Sequence, residues 1–368
     1  MKVTKILYIG GFELPDKNAA AQRVIANAKS MRELGCTVVF INSLKSSGSS
    51  TVELKNYYGF ECYEMKRKGI FSYSLSGRSV KRFITEHEIS AIIAYNYPGV
   101  ALGNISRACK KNGIKCYVDV TEWYKPEGNL LYRLVKGFDI RMRMERVQPK
   151  TDGIIAISRF LYDYYKSKVD NTVLIPPLVD MDDIKWKSTT PQSEYETTSF
   201  VYAGSPSKTK ERLDLVIEAI IKVAKKHSVS LSVIGVTKEE YERIYGKKRE
   251  IPECVHFFGR IPHTEVIELV KKANWSVIIR DNNSVVKAGF PTKLVESISC
   301  GTPVIANDFS NIKDYLNENN SLIIGEISDL AEAMNNACVT QTNVDCMQFD
   351  YRHYLDLFRN LLGIGTVE

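Results

Sequence analysis

The sequence lacks the features that mark membrane-spanning, secreted and zinc-binding proteins. No apolar run in its 368 residues approaches the roughly 20 residues that a membrane span requires. The N-terminal residues lead directly into a predicted strand, without the apolar core of a secretory signal. The eight cysteines are scattered and include no Cys-x-x-Cys pair, which indicates buried thiols in a reducing compartment. We therefore expect a cytoplasmic protein, located at most on the inner face of the plasma membrane.

The charge balance is only mildly uneven. There are 50 Lys and Arg residues against 43 Asp and Glu residues, a net charge of +7. This excess fits polyanionic substrates or an anionic membrane surface. No nucleic-acid-binding signature accompanies it, so we expect no nucleic-acid partner.

The length of the chain predicts two domains. An acidic, aperiodic tract rich in Ser and Thr predicts a linker over residues 179–195. We expect a first domain over residues 1–178, completed by residues 350–368, and a second over residues 196–349. The linker contains Asp180-Met181-Asp182, which has the form of a metal-binding Asp-x-Asp. Since no apolar strand surrounds it, we expect no metal there.

The first domain opens with the pattern of a parallel α/β sheet. Strand Ile6–Ile9, a loop with Gly10 and Gly11, a helix from Ala19 to Leu34 and a further strand form a βαβ unit. It is not a dinucleotide fingerprint, because the spaced third glycine is absent. Gly10 and Gly11 either make only the turn or face a ligand; we favour the second interpretation.

Polar residues follow the later strand Cys116–Val118. Asp119, Glu122 and Trp123 lie where ligands bind in parallel sheets. The alternative is that Asp119 or Thr121 caps a helix and Trp123 packs in the core. Further on, residues 130–150 alternate basic and apolar side chains, a pattern typical of a helix on an anionic membrane or of an ordinary solvated helix.

The second domain repeats a strand, a glycine and a lysine-containing loop. Strand Phe200–Ala203 is followed by Gly204, Lys208 and Lys210, whose amides and ammonium groups suit a diphosphate. It is not a P-loop, which requires Gly-Lys-Ser or Gly-Lys-Thr. A later strand delivers Arg280, which we interpret as a phosphate or sugar contact, with a structural ion pair as the alternative.

The stretch from Val286 to Ile305 carries the strongest functional signal. Gly289 is expected to permit a tight turn, and Pro291 to begin a helix whose first amides, with Lys293, form an anion site. One turn later, Glu296 lies among apolar residues and can accept bonds from two hydroxyls. A phosphate at the helix start and a diol one turn away are typical of a bound sugar nucleotide.

This stretch resembles the donor-site motif of family 4 glycosyltransferases (group 1), as found in bacterial surface-polysaccharide biosynthesis. Gly289-Phe290, Glu296 and Cys300–Val304 fall in register, whereas Ala288 replaces the first Glu of the motif. The resemblance implies the GT-B fold: two Rossmann-like parallel-sheet domains facing across a cleft, with a C-terminal helix returning to the first domain. It also implies that Arg260 and Ile261 lie in a base-binding loop. The donor-binding residues expected are Gly10, Gly11, Gly204, Lys208, Lys210, Arg260, Ile261, Arg280, Gly289, Phe290, Pro291, Thr292, Lys293 and Glu296.

The function that this resemblance implies is retaining transfer of a sugar from a UDP- or GDP-sugar. We expect a glycan or polyprenyl-diphosphate-linked acceptor, oriented by the candidate catalytic residues Asp119 and Glu122, and no metal or other cofactor. Because Ala288 replaces a motif Glu, the alternative is a catalytically inactive GT-B subunit that binds a sugar nucleotide or a partner. An epimerase is disfavoured, since the five histidines form no cluster in the sequence.

Overall fold

The computed structural model describes residues 4–15, 17–46, 51–68, 77–123, 129–187, 197–208, 210–246, 250–340 and 342–365. The chain divides into two compact units. The first comprises Met1–Val179 and Tyr351–Glu368, and the second comprises Asp180–Asp350. Residues 188–195 of the predicted linker lie outside the described residues. The part from Asp180 to Lys187 belongs to the second unit, where Trp186 is buried.

The first unit is built on an eight-stranded sheet with the order β3-β4-β2-β1-β5-β6-β7-β8. All neighbouring strands are parallel except β3 and β4. The strands are β1 (Lys5–Gly10), β2 (Thr37–Ser46), β3 (Thr51–Tyr57), β4 (Phe60–Lys68), β5 (Ala91–Tyr95), β6 (Lys115–Val120), β7 (Gly153–Ala156) and β8 (Thr172–Leu174).

Helices connect the parallel strands of this sheet. They are α1 (Ala19–Glu33), α2 (Gly77–Glu86), α3 (Gly99–Lys111), α4 (Leu130–Arg141) and α5 (Arg159–Lys166). The first begins as predicted, because the Asn18 side chain accepts a hydrogen bond from the amide of Ala21. It ends before Gly35, whose φ of +80° favours glycine.

Residues 45–82, whose sequence is polar, basic and poorly periodic, contain the hairpin of β3 and β4 and most of α2. The strands are joined by Tyr58 and Gly59, both with positive φ (55° and 83°), as two-residue hairpin turns require. The prediction missed β3 because most of its side chains are exposed and only Val52 and Leu54 alternate with polar residues, a pattern too short to identify a strand.

The second unit contains a six-stranded, fully parallel sheet in the order β11-β10-β9-β12-β13-β14. Its strands are β9 (Thr198–Ala203), β10 (Val229–Ile234), β11 (Val255–Gly259), β12 (Trp275–Ile278), β13 (Val304–Asn307) and β14 (Ser321–Ile324). Its helices are α6 (Leu213–Val223), α7 (Lys238–Tyr245), α8 (His263–Lys272), α9 (Ser284–Ala288), α10 (Thr292–Ser299) and α11 (Leu330–Ala337). The apolar stripe of α6, with Val216, Ile220 and Val223, packs into the core of this unit.

The C-terminal segment belongs to the first unit. It forms a 3₁₀ turn over Tyr351–Tyr354 and helix α12 (Leu355–Leu362). Phe358 and Leu361 of α12 are buried in the same core as residues of β1 and α1. This confirms the predicted return of the C-terminal helix to the first domain.

The basic segment 130–150 is helical, as predicted. After α4 it continues as a π-helical turn over Met142–Val147 and a 3₁₀ turn over Gln148–Lys150. None of the helices among the described residues combines the length and apolar character needed to cross a membrane.

Candidate functional site

Several predicted donor residues lie where the strands of the second unit end. Strands β9, β10, β11 and β12 are neighbours and run parallel, so their carboxyl ends share one edge of the sheet. Gly204 follows β9, Arg260 follows β11, and Arg280 follows β12 after one residue. Ligands of open α/β sheets bind at this edge.

Glu296 lies in the second turn of α10 and is a largely buried charge of the second unit. The helix begins at Thr292, directly after Pro291, as predicted. The Glu296 side chain is 7% exposed, and its Oε2 lies 3.0 Å from Nζ of Lys293. Lys293 is thus paired with Glu296, and the anion site expected at the start of α10 stays a prediction.

His263 is a member of this cluster that the sequence did not reveal. It is the first residue of α8, and its Nε2 lies 3.2 Å from Oε1 of Glu296. Burial raises the pKa of Glu296, but Lys293 and then His263 outweigh burial, so the pKa falls below its ordinary value. The carboxyl is therefore ionised at neutral pH and can accept hydroxyl hydrogen bonds.

Gly289 and Phe290 differ from their predicted roles. Gly289 has an ordinary φ of −89°, and a Cβ there would meet only normal contacts, so the turn itself does not require glycine. The ring of Phe290 is buried edge-on against Tyr315, at a centroid distance of 5.2 Å, and also contacts Phe349. It is thus a core side chain, and only its backbone remains for a donor contact.

Arg280 forms the structural ion pair that was the alternative prediction. Its Nη2 lies 2.5 Å from Oε1 of Glu211, and both side chains are largely buried. The other oxygen of Glu211 accepts a hydrogen bond from Tyr202 and occupies the space that a side chain at Gly204 would need. Gly204 therefore makes room for this carboxylate, and a phosphate contact of Arg280 would compete with it.

The lysine loop after Gly204 is anchored at both ends. Tyr245 donates to the carbonyls of Ser207 and Glu211, while the amide of Asp281 donates to the carbonyl of Lys210. The side chains of Lys208 and Lys210 are exposed, so both cations are accessible to an anion. Lys208 also lines a cavity of about 460 Å³ whose other walls include Arg212, Asp214, Tyr241 and Tyr245.

The predicted base-binding loop has one exposed and one packed member. The guanidinium of Arg260 lies at the surface, 2.8 Å from Glu240 of α7. Ile261 is half-buried and packs against a small apolar cluster that includes Val201 and Val266. A base contact therefore has only the exposed part of Ile261 available.

Asp119 is not placed to orient an acceptor. It lies inside β6 rather than beyond its end, and its carboxylate is fully buried. Arg23 of α1 donates to both of its oxygens at 2.8–3.0 Å, and the hydroxyl of Tyr8 donates to Oδ2 at 2.5 Å. The predicted acceptor contact is wrong for this geometry, because the carboxylate is inaccessible; the alternative of a helix cap is not observed either.

The remaining predicted residues of the first unit lie near the carboxyl ends of β1 and β6. A side chain at Gly10 would collide with the ring of Phe12, so packing alone accounts for this glycine. Gly11 and Glu122 are half-buried. Trp123 packs edge-on against Tyr164, at a centroid distance of 4.7 Å. Gly11 and Glu122 thus stay predictions for ligand contact.

No group of three His, Cys, Asp or Glu side chains suited to a metal occurs in the described part of the chain. In the Asp-x-Asp of the predicted linker, the amide of Asp182 donates to Oδ1 of Asp180 at 3.0 Å, which is a local turn contact.

The chain has detectable relatives. Residues 185–342 match the glycosyl transferases group 1 family. Similar solved structures include sucrose-phosphate synthase from Thermosynechococcus elongatus (TM-score 0.64, 16% identity, 98% of this chain and 94% of that chain covered). Others are HepE from Anabaena in complex with UDP and glucose (0.60, 16%, 98% and 94%) and the apo form of the lipopolysaccharide outer core galactosyltransferase WaaB (0.63, 15%, 98% and 99%). No curated protein sequence matches the chain.

The two parallel-sheet units and these structural likenesses define the GT-B fold, which confirms the predicted fold class. Residues 185–342, which include the Glu296 cluster, match the model of the glycosyl transferases group 1 family. Together, the domain and the fold indicate a glycosyltransferase, as the motif at residues 289–304 predicted.

Proposed function

We propose that the protein is a retaining glycosyltransferase that moves a sugar from a UDP- or GDP-sugar to a glycan or lipid-linked glycan. The observation that carries this proposal is the Glu296 cluster at the start of α10. A largely buried, ionised carboxylate lies one turn from the first amides of α10 and is held by Lys293 and His263. Such a carboxylate suits two vicinal hydroxyls, and the helix start suits a phosphate.

In the proposed reaction Glu296 holds the ribose hydroxyls of the donor. The amides of Thr292 and Lys293, together with Lys208 or Lys210, stabilise the charge on the departing diphosphate. The acceptor oxygen bonds to the anomeric carbon on the face from which the diphosphate leaves, and a diphosphate oxygen takes the proton of the acceptor. Fixed cations and amides then stabilise the negative charge that a divalent metal stabilises in other transferases.

The proposal assigns donor binding to the second domain (residues 196–349) and acceptor binding to the first. It includes an acceptor held at the inner face of the plasma membrane, in keeping with the basic segment 130–150. Glu122 remains the candidate for orienting the acceptor, because Asp119 is buried in an ion pair.

A catalytically inactive, nucleotide-binding subunit is the second candidate. It is favoured by Ala288, which replaces the first motif Glu and is fully buried, so no carboxylate reaches a donor from that position. The two candidates share the Glu296 cluster and differ only in turnover.

Two measurements test these proposals. Incubation with a panel of UDP- and GDP-sugars and candidate acceptors, followed by product analysis, separates the enzyme from the inactive subunit. Calorimetric titration of nucleoside diphosphates tests the site: Glu296→Gln should weaken binding by about 1–3 kcal/mol, the usual loss for a charged acceptor. Glu318→Gln, an exposed residue of the same unit, is the matched control. Wild-type affinity of Glu296→Gln for every nucleotide would disprove the site.

A further inference from the structure

Helix α4 exposes a continuous apolar stripe. Leu130, Leu134 and Phe138 follow one another at intervals of four residues, so they share one face of the helix. Their exposed fractions are 72%, 63% and 60%, and neighbouring Val135 is 61% exposed. Single exposed apolar residues need no explanation, but an apolar patch of this kind marks a contact surface.

A basic groove adjoins this stripe. It lies between α3 and the segment from Phe138 to Lys150 and has a volume of about 680 Å³. Apolar side chains line one part of it: Val100, Phe138, Met142 and Val147. Basic side chains line the other part: Arg107, Arg141, Arg146 and Lys150.

The positive charge of this groove is little compensated. Arg141 has one long contact, 4.0 Å, to Glu145, and Asp139 is occupied by the amide of Gly99 at 2.8 Å. Arg146 and Lys150 have no ion-pair partner among the residues that the structure describes.

Not every basic residue of the segment belongs to this surface. Arg143 is only 3% exposed and lies within hydrogen-bonding distance of the carbonyl of Asn96, at 3.4 Å. Met144 is completely buried. Both residues belong to the basic and apolar pattern of residues 130–150 in the sequence, but neither lies at the surface. A test of this surface must therefore leave Arg143 intact.

We propose that α4 and the adjoining groove are a docking surface for an anionic lipid bilayer. The stripe of Leu130, Leu134 and Phe138 enters the boundary between headgroups and acyl chains, while Arg141, Arg146 and Lys150 reach lipid phosphates. Charge complementarity selects this partner: an apolar face bordered by uncompensated cations matches an anionic membrane and repels basic proteins. The inference rests on the proposed function for its membrane-held acceptor, but docking itself requires no donor or turnover.

Co-sedimentation with vesicles tests the proposal on the full-length protein. Binding of the wild type is measured on two kinds of vesicle. Anionic vesicles contain phosphatidylglycerol and phosphatidylcholine, and neutral vesicles contain phosphatidylcholine alone. The charge variant is Arg141→Ala/Arg146→Ala/Lys150→Ala, and the apolar variant is Leu134→Ser/Phe138→Ser. The matched control, Lys222→Ala/Lys225→Ala/Lys226→Ala, removes the same charge from exposed positions of the second unit. Circular dichroism verifies that each variant is folded.

The expected result is binding to anionic vesicles at low salt that is lost on neutral vesicles and at high salt. The charge variant should bind roughly a hundredfold more weakly, because each of the three lost cations near an anionic surface strengthens binding by a factor of about five. The apolar variant should also weaken binding, while the control should bind nearly as wild type does. The proposal would be overturned if wild type fails to bind anionic vesicles at low salt, or if the charge variant binds them as wild type does. It would also be overturned if the control variant weakens binding as much as the charge variant. None of these outcomes depends on donor binding, so each can be separated from failure of the proposed function.

Discussion

Removing the carboxylate of Asp119 should destabilise the first unit severely. Arg23 and Asp119 are both almost completely buried, and three short N–O contacts join them. In Asp119→Ala the guanidinium keeps only the carbonyls of Ile175 and Pro176, each at 3.0 Å. Breaking a buried pair in this way costs about 3–5 kcal/mol, because an uncompensated charge stays in the core.

Related variants separate charge from shape. Asp119→Asn keeps the shape of the side chain and loses only its charge. It should therefore lower the free energy of unfolding of the first unit by less than Asp119→Ala does, by about 1–3 kcal/mol. Replacing both partners, in Arg23→Met/Asp119→Leu, should be less harmful than Asp119→Ala, because no charge is left unpaired. Tyr8 does not rescue the single variant. Burial is the largest cause that raises the pKa of Tyr8 above its ordinary value, and it persists without Asp119, so the hydroxyl stays neutral.

Hydrogen exchange is the suitable assay, because a chain with two units need not unfold in one step. Exchange of the β1 and β6 amides reports the first unit, and exchange of β9 and β10 in the second unit is the internal reference. Asp119→Ala should accelerate exchange in the first unit by roughly a hundredfold to several thousandfold and leave the second unchanged. If exchange is unaltered while transfer to an acceptor is abolished, the structural role is refuted and the acceptor role restored.

Two further predictions concern the donor site. Prolonged treatment with a chelator should leave activity intact, because helix amides and lysines stabilise the leaving group; activity that disappears with chelator and returns with manganese would contradict this. Wild type and Glu296→Gln should differ in affinity for nucleoside diphosphates down to pH 4.5, and this difference should vanish only at lower pH. The reason is that the pKa of Glu296 lies below the ordinary glutamate value of 4.5, so the carboxylate loses its charge only below that pH. Titration at a series of pH values measures this difference, and its loss well above pH 4.5 would show that the Lys293 and His263 contacts do not hold the carboxylate ionised.

Local patterns made the sheets and the α10 motif predictable. Strand, glycine and helix follow one another within short stretches, and the register of Pro291, Thr292 and Glu296 depends only on neighbouring residues. The hairpin of β3 and β4 was missed because β3 is mostly exposed and its apolar alternation is limited to Val52 and Leu54.

Long-range polar contacts were beyond the reach of local patterns. The ion pair of Arg23 and Asp119 joins residues 96 positions apart, and His263 meets Glu296 across 33 positions. Asp119 was also misplaced because the strand was expected to end at Val118, whereas β6 continues to Val120. The position of His263, directly after the predicted base-binding loop, was the one signal that could have identified it.

Because the first unit is discontinuous in sequence, it can complete its core only after the second unit has been translated. Phe358 and Leu361 of α12 complete a core that begins at β1, and Asn171 donates to the carbonyl of Leu361 at 2.9 Å. Domains fold as units during synthesis, N-terminal ones usually first. Here the continuous unit Asp180–Asp350 is translated in full before α12 emerges, so it can close its core earlier. Residues of the first unit that are translated early can therefore bury the surface covered by Phe358 and Leu361 only after residue 361 has been added.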